Sequence, residues 1–181
     1  SNMKTMNLLF LFFFTTVGAQ NNNVITTKQK VNNNFITSES NLTMEAAFEF
    51  VNRSTRIADS LNKKIAVAIL DKSGTIIILV RGDGVGPHNL EAARRKAYTA
   101  LSTKTTTLTL LRNANRNDDI KNLNTLPELL LLSGGVPLYY KGDVIGSIVI
   151  AVVGSAENDD TIAKSAIIPE IVVAGVSPGI A

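Results

Sequence analysis

Ile65-Ala66-Val67-Ala68-Ile69-Leu70-Asp71-Lys72-Ser73-Gly74-Thr75-Ile76-Ile77-Ile78-Leu79-Val80-Arg81 is the stretch that decides the fold. Residues 65–70 form a short apolar run, Asp71-Lys72-Ser73-Gly74 has the chemistry of a turn, and residues 75–81 are rich in β-branched side chains. Branching at Cβ suits a pleated strand, and glycine after small polar residues lets a chain reverse. The stretch therefore predicts two antiparallel strands joined as a hairpin. Its near-continuous apolarity predicts a sheet covered on at least one face, since an open face would alternate with polar residues.

Toward the C-terminus a second hairpin is predicted: a strand over 136–141, a turn at Gly142-Asp143, and a strand over 144–153. Between the hairpins, a glycine-rich loop at 82–88 leads into a helix from about Asn89 to Ser102. Leu90, Ala93, Ala97 and Leu101 define its inner face, and Glu91 with Arg95 makes an i,i+4 pair outside. The threonine-rich stretch 103–112 predicts a second helix, 113–124 reads as a polar loop, and 126–132 is apolar again. After the second hairpin, Asn158 or Asp159 caps a last helix running through Ile162, Ala163, Ala166 and Ile167, which Pro169 stops or kinks. The tail 171–181 is apolar but broken by glycine and proline, and no element is assigned to it.

Toward the N-terminus, Ala46, Ala47, Phe50, Ser54, Ile57, Ala58 and Leu61 recur at helical spacing behind an N-cap at Thr43 and an acidic first-turn Glu45. Residues 20–41, rich in Asn, Thr and Ser, read as a polar tether with one short strand around Asn34–Thr37. Before them, Lys4, the apolar run 8–14 and the small-residue pattern Val17-Gly18-Ala19 read as a cleavable export signal over 1–19, with Ser1-Asn2 as a cloning scar. The apolar run is too short to span a bilayer, and no cysteine follows it to carry a lipid anchor. A domain over 42–170 remains. The expected class is α+β: a central, mainly antiparallel sheet of about four to five strands built from two hairpins and flanked by helices.

Composition excludes several chemistries. With no cysteine there is no thiol nucleophile, no cysteine-held zinc and no iron–sulfur cluster. With one histidine, His88, there is no histidine-rich metal cage, and no G-x-S-x-G elbow supports a serine hydrolase. A net charge of +3, close to +2 without Lys4, is too small and scattered to argue for nucleic acid. A mature chain of about 160 residues is long enough for one domain with a real core, standing without disulfides. That fits a protein exported to the periplasm or the extracellular space.

The most unusual segment is Arg81-Gly82-Asp83-Gly84-Val85-Gly86-Pro87-His88, between a strand and a helix, where backbone amides can cradle an anion. The dinucleotide fingerprint fails because Pro87 stands where its third glycine belongs. A tight turn explains these glycines as well as a ligand does. His88 could ligate a metal or haem iron, or simply face solvent. Tyr98, Tyr139 and Tyr140 are alternative oxygen ligands or packing residues. Arg94-Arg95-Lys96 is either a solvated helix face or a holder of carboxylates. Asp159-Asp160 is better explained by the helix dipole than by a metal. Gly134-Gly135, in Ser133-Gly134-Gly135-Val136-Pro137, either lets another backbone or a flat ligand come close or makes a tight strand entry.

Four blocks together resemble the GlcG-like (HbpS-like) family of haem-binding uptake proteins. They are Val67-Ala68-Ile69-Leu70-Asp71 with Gly74; the 81–87 loop running into Ala93, Lys96-Ala97 and Thr99-Ala100; Gly134-Gly135-Val136-Pro137-Leu138 with Gly142 and Ile145-Gly146; and Gly154 with Asp160 and Ala163. The match spans about 42–168, and Glu91, Arg94, Arg95 and Lys96 make it most similar to the secreted haem-binding branch. The order Val153-Gly154-Ser155 departs from a V-S-G-like turn kept by some members. The resemblance implies homo-oligomers that bind haem near the subunit surface, sometimes with slow haem breakdown or iron storage. It also implies that Thr107 stands where a threonine linked to haem iron is found.

Three functions follow as expectations. The first is an exported module that captures haem or a similar flat anionic ligand for uptake, storage or sensing. Arg94, Arg95 and Lys96 would hold its carboxylates, with His88, Tyr98 or Thr107 near the iron. With them, Arg81, Asp83, Gly84, Gly86, Gly134 and Gly135 make up the expected ligand-binding set. The second is a weak haem-degrading or other small-molecule enzyme using Arg81, Asp83 and Lys96 around the glycine loop. The third is an interaction partner of an envelope receptor with no small ligand. No nucleic acid and no lasting membrane span are expected in any of them.

Overall fold

The computed structural model of the chain describes residues 35–152, 156–166 and 168–173. The expected export signal, residues 20–34 of the expected tether and residues 153–155 therefore lie outside the described residues. Residues 1–37 and 38–181 form separate units, and every element below belongs to the second. Residues 35–37 carry no strand, against the expectation of one around Asn34–Thr37.

The elements, in order, are α1 (Met44–Ser60), β1 (Ile65–Asp71), β2 (Ile76–Arg81), α2 (His88–Thr103), α3 (Thr107–Ala114), α4 (Asp118–Lys121), a 3-10 turn (Asn122–Thr125), β3 (Gly135–Tyr140), β4 (Asp143–Val152), α5 (Ala156–Ser165) and β5 (Val172–Val173). The strands make one sheet in the order β2-β1-β4-β3-β5, with every neighbouring pair antiparallel. The expected α+β architecture of two hairpins sharing a helix-flanked sheet is what forms. The hairpins join through β1 and β4, whose register runs from Ile65 opposite Val152 to Asp71 opposite Gly146.

Both faces of the sheet are covered at its central strands, which explains the near-continuous apolar run of β1, while β2 at the edge leaves Ile76 and Val80 exposed. Ile65, Val67 and Ile69 of β1 point to one side, where they pack with Val136, Leu138, Ile148 and Ile150, with Phe50 of α1 and with Ile162 of α5. Ala66, Ala68 and Leu70 point to the other side and meet Ala93 and Ala97 of α2. Large residues fill the α1/α5 layer, and alanines on the opposite side let α2 lie close to the strands. There Ser147 Oγ donates to Ala97 O at 2.8 Å, which satisfies a fully buried hydroxyl.

Local chemistry sets the element ends. Thr43 caps α1 by accepting from Ala46 N at 3.1 Å. Leu61, expected on the buried stripe, is instead the C-cap residue and half-exposed. Lys104, with φ 52°, ends α2 in the left-handed region, and Thr106 caps α3 by accepting from Thr109 N. Asn117 caps α4 in the same way, so part of the expected polar loop 113–124 is helical. Residues 126–132 hold no helix or strand.

The second hairpin turns on Lys141-Gly142, both left-handed, one residue earlier than expected. Two left-handed residues match the twist of the flanking strands. The last helix begins at Ala156, so Asn158 and Asp159 lie inside it rather than capping it, and Pro169 follows its end. In the tail, Val172 and Val173 pair with Tyr139 and Leu138 as a short fifth strand.

Candidate functional site

The glycine loop is tied to β1 and to itself. Gly82 N donates to Ile65 O at 2.9 Å, Val85 N to Gly82 O at 3.2 Å, and Arg81 Nη1 to Val85 O at 3.1 Å. Val85 is buried, and Gly84 takes φ 78°, the conformation a turn demands of glycine. A Cβ on Gly86 would meet the His88 ring at 2.8 Å. Asp83 and His88 stay exposed at the rim.

The basic run does not form one face. Arg94 donates to Glu91 at 2.8 and 3.0 Å and to Glu128 at 2.9 Å. The Glu91 hydrogen bond raises the Arg94 pKa and holds the Glu91 carboxyl below its usual range. Arg94, not the expected Arg95, is thus the hydrogen-bonded partner of Glu91. Arg95 turns to Leu129 O at 2.7 Å, and its Nε is buried without a partner. Together with Leu130 N donating to Thr99 Oγ1 at 2.8 Å, these bonds strap residues 128–130 onto α2.

Lys96, expected on the solvated or ligand-holding face, points inward. It is 4% exposed, with Nζ 3.4 Å from Asp159 Oδ2 on α5. Burial lowers its pKa, and the Asp159 carboxylate opposes that shift. Asp159, assigned to the helix dipole, is thus its counter-ion; the side chain of Asp160 lies outside the described residues.

Beside this pair, a Cβ on Gly134 would meet Ile150 O at 2.8 Å and Asp159 Cβ at 2.9 Å. One on Gly135 would meet Lys96 O at 2.6 Å. Thr107 Oγ1 accepts from Gly135 N at 2.8 Å and is fully buried. The space beside the paired glycines is taken by Ile150 O and Lys96 O, so other backbone does come close there. Lys96, Thr107, Gly134, Gly135 and Asp159 form one interior cluster.

An accessible concavity lies at the other end of α2. Sixteen residues at about 1.5 Å each make α2 roughly 24 Å long, so the glycine loop and Lys104 stand at opposite ends. Tyr98 covers Gly74, where an added Cβ would lie 3.1 Å from its ring. Two hollows share Tyr98 and Ser102. One, of about 260 Å³, is lined by Lys72, Ser73, Leu101, Lys104 and Asp143. The other, of about 340 Å³, is lined by Leu126, Pro127, Glu128 and Leu129. Its apolar side is the 126–129 stretch that the strap holds in place.

The first hollow is floored by the β1–β2 turn, which is built on one carboxylate. Asp71 Oδ1 accepts from Ser73 N, Ser73 Oγ and Thr75 N at 2.9, 2.6 and 2.9 Å. Burial alone would raise the Asp71 pKa, but hydrogen bonds from Ser73, Thr75 and Asn41 outweigh it and hold the carboxyl below 3.8. Of the other tyrosines, Tyr139 donates to Lys104 O at 2.8 Å, and burial raises its pKa. Tyr140 carries the Lys141 ammonium 5.1 Å over its ring.

Among the described residues, no group of three or more His, Cys, Asp or Glu side chains is placed to hold a metal ion. No described helix is long and apolar enough to cross a membrane.

A family model described as haem degrading protein HbpS-like matches residues 42–168. The chain belongs to the HbpS-like family. Among solved structures, a double mutant of Streptomyces reticuli HbpS is 31% identical, with a TM-score of 0.67 over 72% of this chain and 88% of that one. A PduOC:heme complex is 26% identical, with a TM-score of 0.62 over 70% of this chain and 92% of that one. Klebsiella pneumoniae ORFY, a DUF336 protein, shares the fold at 21% identity and a TM-score of 0.69, over 74% of this chain and 92% of that one. No curated protein sequence matches.

Within the HbpS-like frame, the residues that shape the open hollows are mostly not those the sequence singled out. Tyr98 is common to both sets. Ser102, Lys104 and residues 126–129 carry no motif, and Lys72 is the variable position of a turn. The available signals were the Asp-x-Ser-Gly turn at 71–74 and the helix stop after Thr103, which together bring Lys72 and Lys104 to one side of Tyr98.

Proposed function

We propose that the protein binds haem, or a flat ligand of similar size bearing carboxylates, across the Tyr98–Ser102 face. The carrying observation is the pair of hollows that share Tyr98 and Ser102, one apolar along Leu126, Pro127 and Leu129, the other lined by Lys104 and by Lys72, whose ammonium lies 3.1 Å from Glu39 Oε2. Together they fall in the range of small-molecule sites, about 300–1,000 Å³. A porphyrin needs an apolar wall for its plane and cations for its carboxylates, and both are present. Of the two hydroxyl-bearing side chains that line both hollows, Tyr98 and Ser102, the phenol is the one with the chemistry of an iron ligand. His88 lies ten residues back along α2, roughly 15 Å away, too far to share that iron. Membership of the HbpS-like family and likeness to a PduOC:heme complex support the same ligand.

This reading includes export, from the pattern over residues 4–19, and assembly into a homo-oligomer that could present the face to an envelope receptor. Titration of the mature protein with haemin tests the ligand. A saturable Soret shift at micromolar protein, weakened in Tyr98→Ala and Lys104→Glu, is the expected result; no spectral change in the wild type overturns the proposal. A second reading, slow haem degradation, is favoured by the description of the family model. Time-dependent bleaching of bound haem with peroxide or a reductant, faster than with free haemin, would establish it.

A further inference from the structure

We propose that a hollow at the C-terminal end of α1, distinct from the haem face, binds a small zwitterion of the free amino acid class. The hollow measures about 230 Å³ and is lined by Asp59, Lys63, Lys64 and Asp83, with Val67 and Val80 among its apolar walls. That is too small for a porphyrin and suits a solute of a few heavy atoms.

Backbone geometry brings the four charged residues to one hollow. Asn62, with φ 51°, ends α1 in the left-handed region; its N–H donates to Asp59 O at 3.0 Å, and Lys63 N donates to Ala58 O at 2.9 Å. This closure reverses the chain within one residue and sets Lys63 and Lys64 beside the last turn that carries Asp59. On the far wall, Gly82 lies against β1, where a Cβ would stand 2.8 Å from Ile65 O. Only glycine permits that approach, and it draws Asp83 to the rim.

Two cations and two anions thus line one small space, yet among the described residues no ion pair within 4.0 Å joins any two of them. A solute with one charge satisfies half of this lining and is repelled by the rest. A solute with an ammonium and a carboxylate close together satisfies both halves. The carbonyl end of α1 adds partial negative charge on the Asp59 side, which places the ammonium there and the carboxylate toward Lys63 and Lys64. Val67 and Val80 leave room for a short aliphatic side chain.

The test uses isotope-labelled mature protein and amide NMR, with L-alanine and L-valine as probes and acetate and methylammonium as half-ligands. The expected result is saturable shifts at residues 59–65 and 80–83 with the amino acids, and about tenfold weaker response to either half-ligand. Asp59→Asn and Lys64→Gln, both at exposed positions, should each weaken binding about tenfold while the remaining spectrum is preserved. Absence of saturable shifts up to tens of millimolar, shifts confined to other residues, or equal response to acetate overturns the proposal. Haemin binding of Asp59→Asn stays at the wild-type level, so failure here and failure of the haem reading are separable.

Discussion

At its N-terminal end α2 meets a loop of three glycines whose conformation serves the loop's own hydrogen bonds; at its C-terminal end it meets two ordinary-looking segments that leave space. The glycine loop is the conspicuous one in sequence, and it closes over Val85. The other end has no motif, but there Tyr98 stands between a polar and an apolar hollow. Midway along the same helix, Lys96 belongs to neither end and is spent on Asp159. Unusual residues mark places where the backbone is constrained. A constrained backbone is often one already satisfied by itself, whereas a binding surface needs groups left over.

The largest expected effect lies at the middle of α2. Asp159→Ala leaves a buried ammonium without its carboxylate and should cost about 3–5 kcal/mol, read as a fall in denaturant midpoint. Lys96→Met, which removes the charge as well, should cost far less and leave haemin binding intact. If Lys96→Met keeps its fold but loses haem, the division between interior and surface cations is broken.

Next comes the open end. Tyr98→Ala should weaken haemin binding at least about tenfold through lost stacking and iron contact. Tyr98→Phe sharpens this by separating the ring from the hydroxyl: retained affinity with an altered visible spectrum would assign the hydroxyl to iron.

A smaller effect concerns the turn beneath Tyr98. Asp71→Ala should cost about 1 kcal/mol at neutral pH through lost hydrogen bonds. The Asp71 carboxyl sits below its ordinary 3.8 in the folded chain. Its contribution is therefore complete above the unfolded value and disappears as pH falls through the folded one. Acid titrations of wild type and variant should converge below that range. The smallest effect is at the closed end, where His88→Ala should change haemin affinity by less than about twofold. A larger loss would move the site to the glycine loop.

The fold was legible because its signals are local. Alternation, β-branching and turn residues placed both hairpins, and the stripe from Ala46 to Ala58 placed α1. What escaped depends on distant partners. Lys96 sits in a basic run and looks solvated, and nothing near it in sequence announces Asp159, 63 residues on. Gly134 and Gly135 fit two readings until Lys96 O, Ile150 O and Thr107 are seen to occupy the space beside them. The short helix at Asp118–Lys121 was missed because its cap, Asn117, is equally at home in a loop. Of the hollows, the turn at 71–74 and the helix stop after Thr103 hint only at where Lys72 and Lys104 lie; residues 126–129 come beside Tyr98 only once the strap exists.

The pairing of β1 with β4 has a bearing on when this chain can fold during synthesis. Roughly 75 residues separate the two strands, so the central ladder closes only after a long loop is drawn together. A nascent chain that has not yet released residue 152 from the ribosome holds β1 paired on one side and bare on the other. Its apolar edge is then open to any other extended strand. The central strand stays unfinished until most of the polypeptide has been made, which favours a late, concerted collapse over stepwise growth from the N-terminus.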